Sequence, residues 1–262
     1  MTHTLYQVDA FTSRLFGGNP AAVLPLDKWM SDERMQQIAM ENNLSETAFF
    51  AEERDGYRLR WFTPAVEVDF CGHATLASAH VLFEQLAIER EAILFYTRVG
   101  ELVVSKKGER YRMDAPADKL EALEVSHEVV EALGEAPRAL FRGREDLMAV
   151  LESEEQVRNL KPDFRALAAS TRRGLIATAP GREVDFVSRC FYPNAGVDED
   201  PVTGSAHTTM APYWAAQLDK TDLNARQLSR RGGEIRCLVS PKRVVLEGQA
   251  VTYLVGNIFL PD

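Results

Sequence analysis

Two stretches of the chain share one pattern and decide the fold: RWFTPAVEVDFCGHAT at residues 60–75 and RCFYPNAGVDEDPVTGSAH at residues 189–207. Each begins with an R-x-F-x-P pattern, and the second copy lies 129 residues after the first. Beyond each proline a glycine opens an apolar segment, at Gly72-His73-Ala74 and at Gly204-Ser205-Ala206. Self-similarity at a nearly constant offset indicates internal duplication, so the sequence predicts two similar halves of about 130 residues.

Around these stretches, short strand patterns alternate with helical ones. Ser31 is a candidate N-cap for a helix that ends near Asn42-Asn43. The segments Gly72–Leu86 and Gly204–Leu218 are apolar on almost every side, which is typical of buried helices. The expected class is α+β.

The segment Asp114-Ala115-Pro116-Ala117-Asp118 interrupts the periodicity and is the best candidate for a linker. We therefore predict an N-terminal domain at residues 1–115 and a C-terminal domain at residues 119–262. The last strand could pack back on the first domain.

Composition excludes several classes of function. The 262 residues include 30 Lys and Arg against 39 Asp and Glu, a formal net charge of −9, which argues against nucleic-acid binding. The basic pairs are expected on a solvated surface; they are Lys106-Lys107, Arg172-Arg173 and Arg230-Arg231. No stretch approaches the roughly 18 to 20 apolar residues of a membrane helix, so no membrane partner is expected.

The three cysteines, Cys71, Cys190 and Cys237, lack the spacing of a zinc knuckle or a thioredoxin-like site. His73 and His80, with Cys71, could be read as metal ligands, but no HExxH motif accompanies them. Nucleotide-binding glycine motifs are also absent. An odd cysteine count and no signal peptide indicate a cytoplasmic protein, and we predict no metal and no cofactor.

The glycines that open the two apolar helices suggest a ligand site in a cleft between the halves. A helix start offers unpaired backbone N–H groups and the positive end of the helix dipole, and glycine lets a ligand approach. Two such starts could hold a small carboxylate without a basic side chain. The alternative is that Gly72 and Gly204 only allow helix and strand to pack closely.

Titratable side chains cluster near both helix starts. They are Asp69, Cys71 and His73 in the first half and Asp198, Glu199, Asp200, Ser205 and His207 in the second. A proton-transfer enzyme needs a donor and an acceptor on either side of its substrate. These clusters favour proton-transfer chemistry, although any one of these residues alone would be read as a cap or a surface charge.

Further motifs occur in order along the chain: Val8-Asp-Ala-Phe11, Gly18-Asn-Pro20, Asn43-Leu-Ser-Glu46-Thr-Ala-Phe, Arg60-Trp-Phe-Thr-Pro64, Cys71-Gly-His-Ala-Thr75 and Asp200-Pro-Val-Thr-Gly-Ser205-Ala-His207. Together they closely resemble the PhzF-like (phenazine-biosynthesis-like) isomerase family over nearly the whole chain. The resemblance implies a fold like that of diaminopimelate epimerase, with two pseudo-symmetric domains, each a curved β-sheet around a central helix. It also implies a cofactor-free cytoplasmic homodimer that moves a proton within a small acidic metabolite.

The resemblance assigns roles by motif. Glu46 matches the central acid/base, and His73, Asp200 and Ser205 match supporting polar residues. Gly72 and Gly204 match backbone positions that receive the substrate's carboxylate, with Cys71 and His207 beside them as binding residues.

The resemblance leaves the substrate open. Many family members make no phenazines, and nothing identifies a pocket for trans-2,3-dihydro-3-hydroxyanthranilate, the substrate in phenazine synthesis. Arg230-Arg231 could bind an acidic group, but a surface turn is the simpler interpretation.

The sequence leaves two alternative functions open. A two-thiol amino-acid epimerase or racemase would need a second cysteine opposite Cys71, but the residue at offset 132 is Thr203. A non-catalytic protein that binds small acids on the same fold is the other alternative.

Overall fold

The computed structural model describes residues 2–260 and divides the chain into two compact units. The first unit comprises the chain up to Asp114 together with the segment from Glu247, and the second comprises Ala115–Leu246. In chain order the elements up to the boundary are β1 (Thr2–Ala10), β2 (Asn19–Pro25), α1 (Asp32–Asn42), β3 (Glu46–Glu53), β4 (Gly56–Phe62), β5 (Glu67–Val68), α2 (Gly72–His80), a π-helical turn (Val81–Gln85), β6 (Ala92–Thr97), β7 (Gly100–Lys107) and β8 (Arg110–Pro116).

The remaining elements follow in the same way. They are β9 (Glu121–Leu123), α3 (His127–Leu133), β10 (Ala139–Arg142), β11 (Leu147–Val150), α4 (Glu154–Asn159), α5 (Phe164–Ser170), β12 (Leu175–Pro180), β13 (Phe186–Tyr192), a 3₁₀ turn (Pro193–Ala195), β14 (Val197–Asp200), α6 (Gly204–Leu218), β15 (Asp222–Gln227), β16 (Gly233–Val239), β17 (Arg243–Gly248) and β18 (Ala250–Phe259).

Strand pairing repeats between the units. In the first unit, β2 is antiparallel to β1 and parallel to β3, and β4 is antiparallel to β3 and β5 but parallel to β6. In the second unit, β11 is antiparallel to β10 and parallel to β12, and β13 is antiparallel to β12 and β14 but parallel to β15. The same order of pairing confirms the predicted internal duplication.

Each unit has its own apolar helix at equivalent positions. In the first unit every residue of α2 is buried, from Gly72 to His80, and the helix packs against β1, β2, β3 and β7. In the second unit α6 packs against β15 and β16. The predicted apolar segments therefore form buried helices, because a helix with no charged face has no side that favours contact with water.

The repeated R-x-F-x-P pattern has a structural explanation. In both units its arginine lies over the ring of the phenylalanine two residues later, at 5.2 and 5.0 Å. Nε of Arg60 donates to Glu67 at 2.7 Å, and Nε of Arg189 donates to Glu199 at 2.6 Å. Each arginine thus ties the strand that carries it to the short strand that precedes the central helix.

The unit boundary follows Asp114, inside β8, so the segment predicted as a linker continues as a strand to Pro116. The segment from Glu247 belongs to the first unit, where β18 pairs with β1 over its length. Among residues 2–260, no helix has the length and apolar content to cross a membrane.

Candidate active site

The first set of predicted site residues lies where three elements of the first unit meet. Glu46 is the first residue of β3, and its partner in the parallel strand β2 is Ala21. Cys71 is the N-cap of α2, and Gly72 and His73 open the helix. Because α2 packs against β2 and β3, the start of the helix comes to the start of β3.

Glu46 and His73 form the centre of this set. Oε2 of Glu46 lies 3.1 Å from Nε2 of His73. The His73 side chain is 6% exposed and that of Glu46 is 18% exposed, so the ring is enclosed while the carboxyl group keeps some access to solvent. A carboxyl group and an imidazole in direct contact can exchange a proton, which general acid–base catalysis requires.

The other nitrogen of the His73 ring is held by Asn19, the first residue of β2. Nδ2 of Asn19 lies 3.1 Å from Nδ1 of His73. An asparagine amide can donate to a bare ring nitrogen through its nitrogen, or accept from a protonated one through its oxygen. Asn19 can therefore keep the ring oriented in both protonation states.

Burial and charge act on Cys71 and His73 in different ways. Burial, followed by the negative charge of Glu46, raises the pKa of the Cys71 thiol to about 11, so the thiol stays protonated at neutral pH. Burial disfavours a charged His73, but its contacts with Cys71 and Glu46 outweigh burial and raise the pKa of His73 well above its usual value. Cys71 is therefore a poor candidate for a base at neutral pH.

These three side chains also form a set of potential metal ligands. One ligand atom from each of Glu46, Cys71 and His73 lies within 4.8 Å of the other two. His80 is engaged elsewhere, because its ring bonds Tyr111 Oη at 2.9 Å and Thr252 Oγ1 at 2.8 Å. The prediction of a metal-free site stays a prediction.

The second set lies at the start of α6 in the second unit. Oγ1 of Thr203, the N-cap of α6, donates to Oδ2 of Asp200 at 2.5 Å. Gln227 is fully buried at the end of β15. It accepts from the backbone N–H of Thr203 at 2.9 Å and donates to the backbone oxygen of Asp200 at 2.7 Å. One buried glutamine thus fixes the segment that leads into Gly204 and Ser205.

Ser205 and His207 differ in their access to a ligand. Ser205 is partly buried, and its Oγ lies 3.5 Å from Nη2 of Arg173. His207 is fully buried, and its Nδ1 donates to the backbone oxygen of Thr203 at 2.7 Å. Burial lowers the pKa of His207 to about 4, so the ring is neutral and braces the first turn of α6. Its role in binding substrate stays a prediction.

The two central helices differ from the other helices in how they begin. The N-caps Cys71 and Thr203 make no side-chain hydrogen bond to the helix start. In the other α-helices of residues 2–260, the N-cap side chain accepts a hydrogen bond from a first-turn N–H group; those N-caps are Ser31, Ser126, Ser153 and Asp163. The starts of α2 and α6 therefore keep backbone donors and the positive end of the helix dipole for an anion.

No cysteine takes the N-cap position of α6, although the thiol of Cys190 approaches the Thr203 side chain there. Cys190 is inside β13 and Cys237 inside β16, both fully buried, and burial raises the pKa of both thiols. Thr203 takes the position that Cys71 has in the first unit. A two-thiol mechanism gains no support from this arrangement.

The sequence motifs assign no site role to Asn19, Gln227 or Arg173. Asn19 stands in the Gly18-Asn-Pro20 motif, but no pattern marks Gln227, since only the fold brings it to Thr203. The expectation of a solvated Arg172-Arg173 pair holds only in part for Arg173. Arg172 is exposed, whereas Arg173 is ion-paired with the buried Asp146 at 2.5 Å.

Comparisons with known proteins agree with these motifs and this fold. The sequence profile described as phenazine biosynthesis-like protein (PhzC-PhzF) matches residues 8–256. An uncharacterized isomerase of Pseudomonas aeruginosa is 51% identical over 255 residues, which cover 97% of this chain and 98% of the relative. The phenazine biosynthesis-like domain-containing protein of Homo sapiens is 37% identical over 282 residues, with 97% of this chain and 98% of the relative covered.

Solved structures extend the comparison to the fold. A PhzF family protein of Enterococcus faecalis has a TM-score of 0.97 at 46% identity, covering 99% of this chain and 100% of that chain. A probable proline racemase of Agrobacterium radiobacter has a TM-score of 0.68 at 10% identity, covering 99% of this chain and 93% of that chain, and shares the fold alone. These neighbours confirm the predicted diaminopimelate epimerase-like fold. The chain belongs to the phenazine biosynthesis-like (PhzC-PhzF) family.

Proposed function

We propose that this protein is a cofactor-independent isomerase that moves a proton between two atoms of a small carboxylic or amino acid. The observation that carries the proposal is the 3.1 Å contact between Glu46 and the buried His73 at the start of α2. Relatives named as isomerases in Pseudomonas aeruginosa and Halalkalibacterium halodurans support the reaction class.

In the proposed reaction Glu46 is both base and acid. Its carboxylate takes a proton as a substrate C–H bond breaks, and the electron pair of that bond delocalises into the π-system of the substrate. The Glu46 carboxyl group then returns the proton to a different carbon, so the reaction needs no second reactant. His73 orients Glu46, and Asn19 in turn orients His73.

The start of α2, at Gly72, and the start of α6, at Gly204, are each proposed to bind a substrate carboxylate through backbone N–H groups. Neither helix has a side-chain cap that would compete for those groups. By resemblance to the family, Asp200 and Ser205 complete the polar set, with Cys71 and His207 beside them. The same resemblance supports a cytoplasmic homodimer. The acidic balance argues against a nucleic-acid partner, and the absence of a membrane partner stays a prediction.

Hydrogen exchange in D₂O tests the proposal directly. The protein is incubated with a panel of small carboxylic and amino acids, including trans-2,3-dihydro-3-hydroxyanthranilate, and ¹H NMR follows the loss of each C–H signal. We expect one class of acid to gain deuterium at one carbon and to yield an isomer, with the same rate after dialysis against EDTA. Exchange at a single carbon with inversion would favour the epimerase alternative. Tight binding of acids without any exchange would favour the non-catalytic binder.

A further inference from the structure

The two units place different charges near the starts of equivalent strands. In the first unit, Glu46 opens β3 and contacts His73, the second residue of α2, at 3.1 Å. In the second unit β12 has the position of β3, since it is parallel to β11 and antiparallel to β13. Arg173 lies two residues before β12, and its Nη2 is 3.5 Å from Oγ of Ser205, the second residue of α6.

Arg173 is fixed in place by two neighbours in its own unit. Its Nε donates to Oδ1 of Asp146 at 2.7 Å, and its Nη2 donates to Oδ2 at 2.5 Å. Its guanidinium carbon lies 5.1 Å from the centre of the Tyr192 ring. The Asp146 side chain is only 4% exposed, while that of Arg173 is 35% exposed. A buried carboxylate therefore holds a guanidinium that is still open to solvent.

This arrangement leaves one edge of the guanidinium available. Asp146 takes the edge formed by Nε and Nη2. The remaining edge, formed by Nη1 and Nη2, includes the nitrogen nearest to Ser205. A guanidinium edge presents two parallel N–H groups, which match the two oxygens of a carboxylate. Preorganisation by Asp146 reduces the entropy lost when a ligand binds.

We infer that Arg173 is a substrate-binding residue, whose free edge receives a carboxylate of the substrate beside the Ser205 hydroxyl. The inference rests on the proposed function, in which the start of α6 belongs to the site. The inference also assigns different chemical groups to the two duplicated halves. Near the starts of equivalent strands, the first unit carries a carboxyl group that can exchange protons, whereas the second carries a cation that stays protonated at neutral pH and can therefore bind a ligand but not transfer a proton.

Calorimetric titration with malonate, a small dicarboxylate, tests this inference on the full chain. We expect Arg173→Gln to weaken malonate binding about tenfold or more, because a charge-assisted hydrogen bond is lost. Arg172→Gln is the matched control. It removes the same charge from the adjacent exposed residue and should leave the affinity within about twofold.

A second variant covers the case in which Arg173→Gln fails to fold because the buried Asp146 loses its partner. Arg173→Gln with Asp146→Asn leaves no unpaired charge, and it should fold yet bind malonate as weakly as the single variant. Arg173→Lys retains the charge without the planar edge and should restore only part of the affinity.

Two results would overturn the inference. One is native malonate affinity in the folded double variant, and the other is an absence of saturable malonate binding to the native chain. Exchange in D₂O is a separate measurement. Exchange that depends on Glu46, with malonate binding indifferent to Arg173, would leave the proposed function standing and remove this inference. Malonate binding that depends on Arg173, with no exchange into any acid, would leave this inference standing and remove the proposed function.

Discussion

Glu46 and Cys71 both contact the ring of His73, but burial makes the thiol of Cys71 a poor base at neutral pH. Sγ of Cys71 is 3.5 Å from Nδ1 of His73, whereas Oε2 of Glu46 is 3.1 Å from Nε2. Burial raises the pKa of the thiol to about 11, which removes it as a base near neutrality. The two candidate mechanisms, by carboxyl group and by thiol, therefore make opposite predictions for two conservative variants.

Glu46→Gln retains the shape of the side chain but cannot carry the proton. We expect kcat for the exchange-active substrate to fall by roughly 10² to 10⁴ with little change in affinity. Cys71→Ser is the matched variant, and we expect it to retain kcat within about tenfold. Steady-state kinetics on both proteins measure the difference. Normal turnover by Glu46→Gln together with an inactive Cys71→Ser would refute the assignment.

His207 predicts a pH dependence of stability. Burial lowers its pKa to about 4 in the folded protein, against an ordinary value of 6.5. Below pH 6.5 the His207 ring binds a proton in the unfolded chain but stays neutral in the folded chain. The free energy of unfolding therefore decreases as the pH falls from 6.5 toward 4. Urea unfolding of the native chain and of His207→Asn at several pH values isolates this contribution. The gap between the two curves should change across that range and stay constant above pH 7.

The sequence could single out candidate site residues because short motifs carry them. Glu46, His73 and Ser205 each lie in a contiguous motif that can be recognised without knowledge of the fold. The sequence indicated no site role for Arg173, since two adjacent arginines are usually solvated. Its role depends on Asp146, which is 27 residues away in sequence and reaches it only in the folded unit.

Helices and strands were predictable where local chemistry decides them. Ser31 caps α1 as expected, accepting a hydrogen bond from the backbone of Arg34 at 3.2 Å, and Asn43 ends the helix in the left-handed region. The segment predicted as a linker contains the unit boundary, but it continues β8 as far as Pro116, where the missing N–H costs the end of a strand little. Strand order could not be predicted, because sequence patterns do not reveal which strands pair.

The uncapped starts of α2 and α6 predict where anions bind. A crystal soaked in sulfate or acetate should show the anion held by backbone N–H groups at Gly72-His73 and at Gly204-Ser205. Gly72→Val and Gly204→Val should each remove the anion from their own helix, because a side chain fills its space. His127→Val is the control, since it changes the first residue of α3, whose N-cap Ser126 is already bonded. Anions found only at Arg230-Arg231 would refute this prediction.

The chain as a whole is acidic, yet its last strand carries no charge. Residues 250–260 read AVTYLVGNIFL, and β18 leaves several apolar side chains exposed. The exposed residues are Tyr253, Leu254, Val255 and Phe259. Two copies with a net charge of −9 repel each other over most of their surface. An uncharged apolar strand can form an interface between two copies without that repulsion. A strand can also pair symmetrically with the same strand of a second copy.

We therefore expect a homodimer that depends on β18. Light scattering at micromolar concentration should give about twice the monomer mass of 29.3 kDa. Val255→Lys places a charge on the strand and should shift the mass toward the monomer, because two copies would bring like charges together. Val99→Lys is the matched control, since Val99 is 57% exposed and Val255 54%, but Val99 lies outside β18. A native mass near 29.3 kDa would exclude the dimer, and a dimer that survives Val255→Lys would place the interface elsewhere.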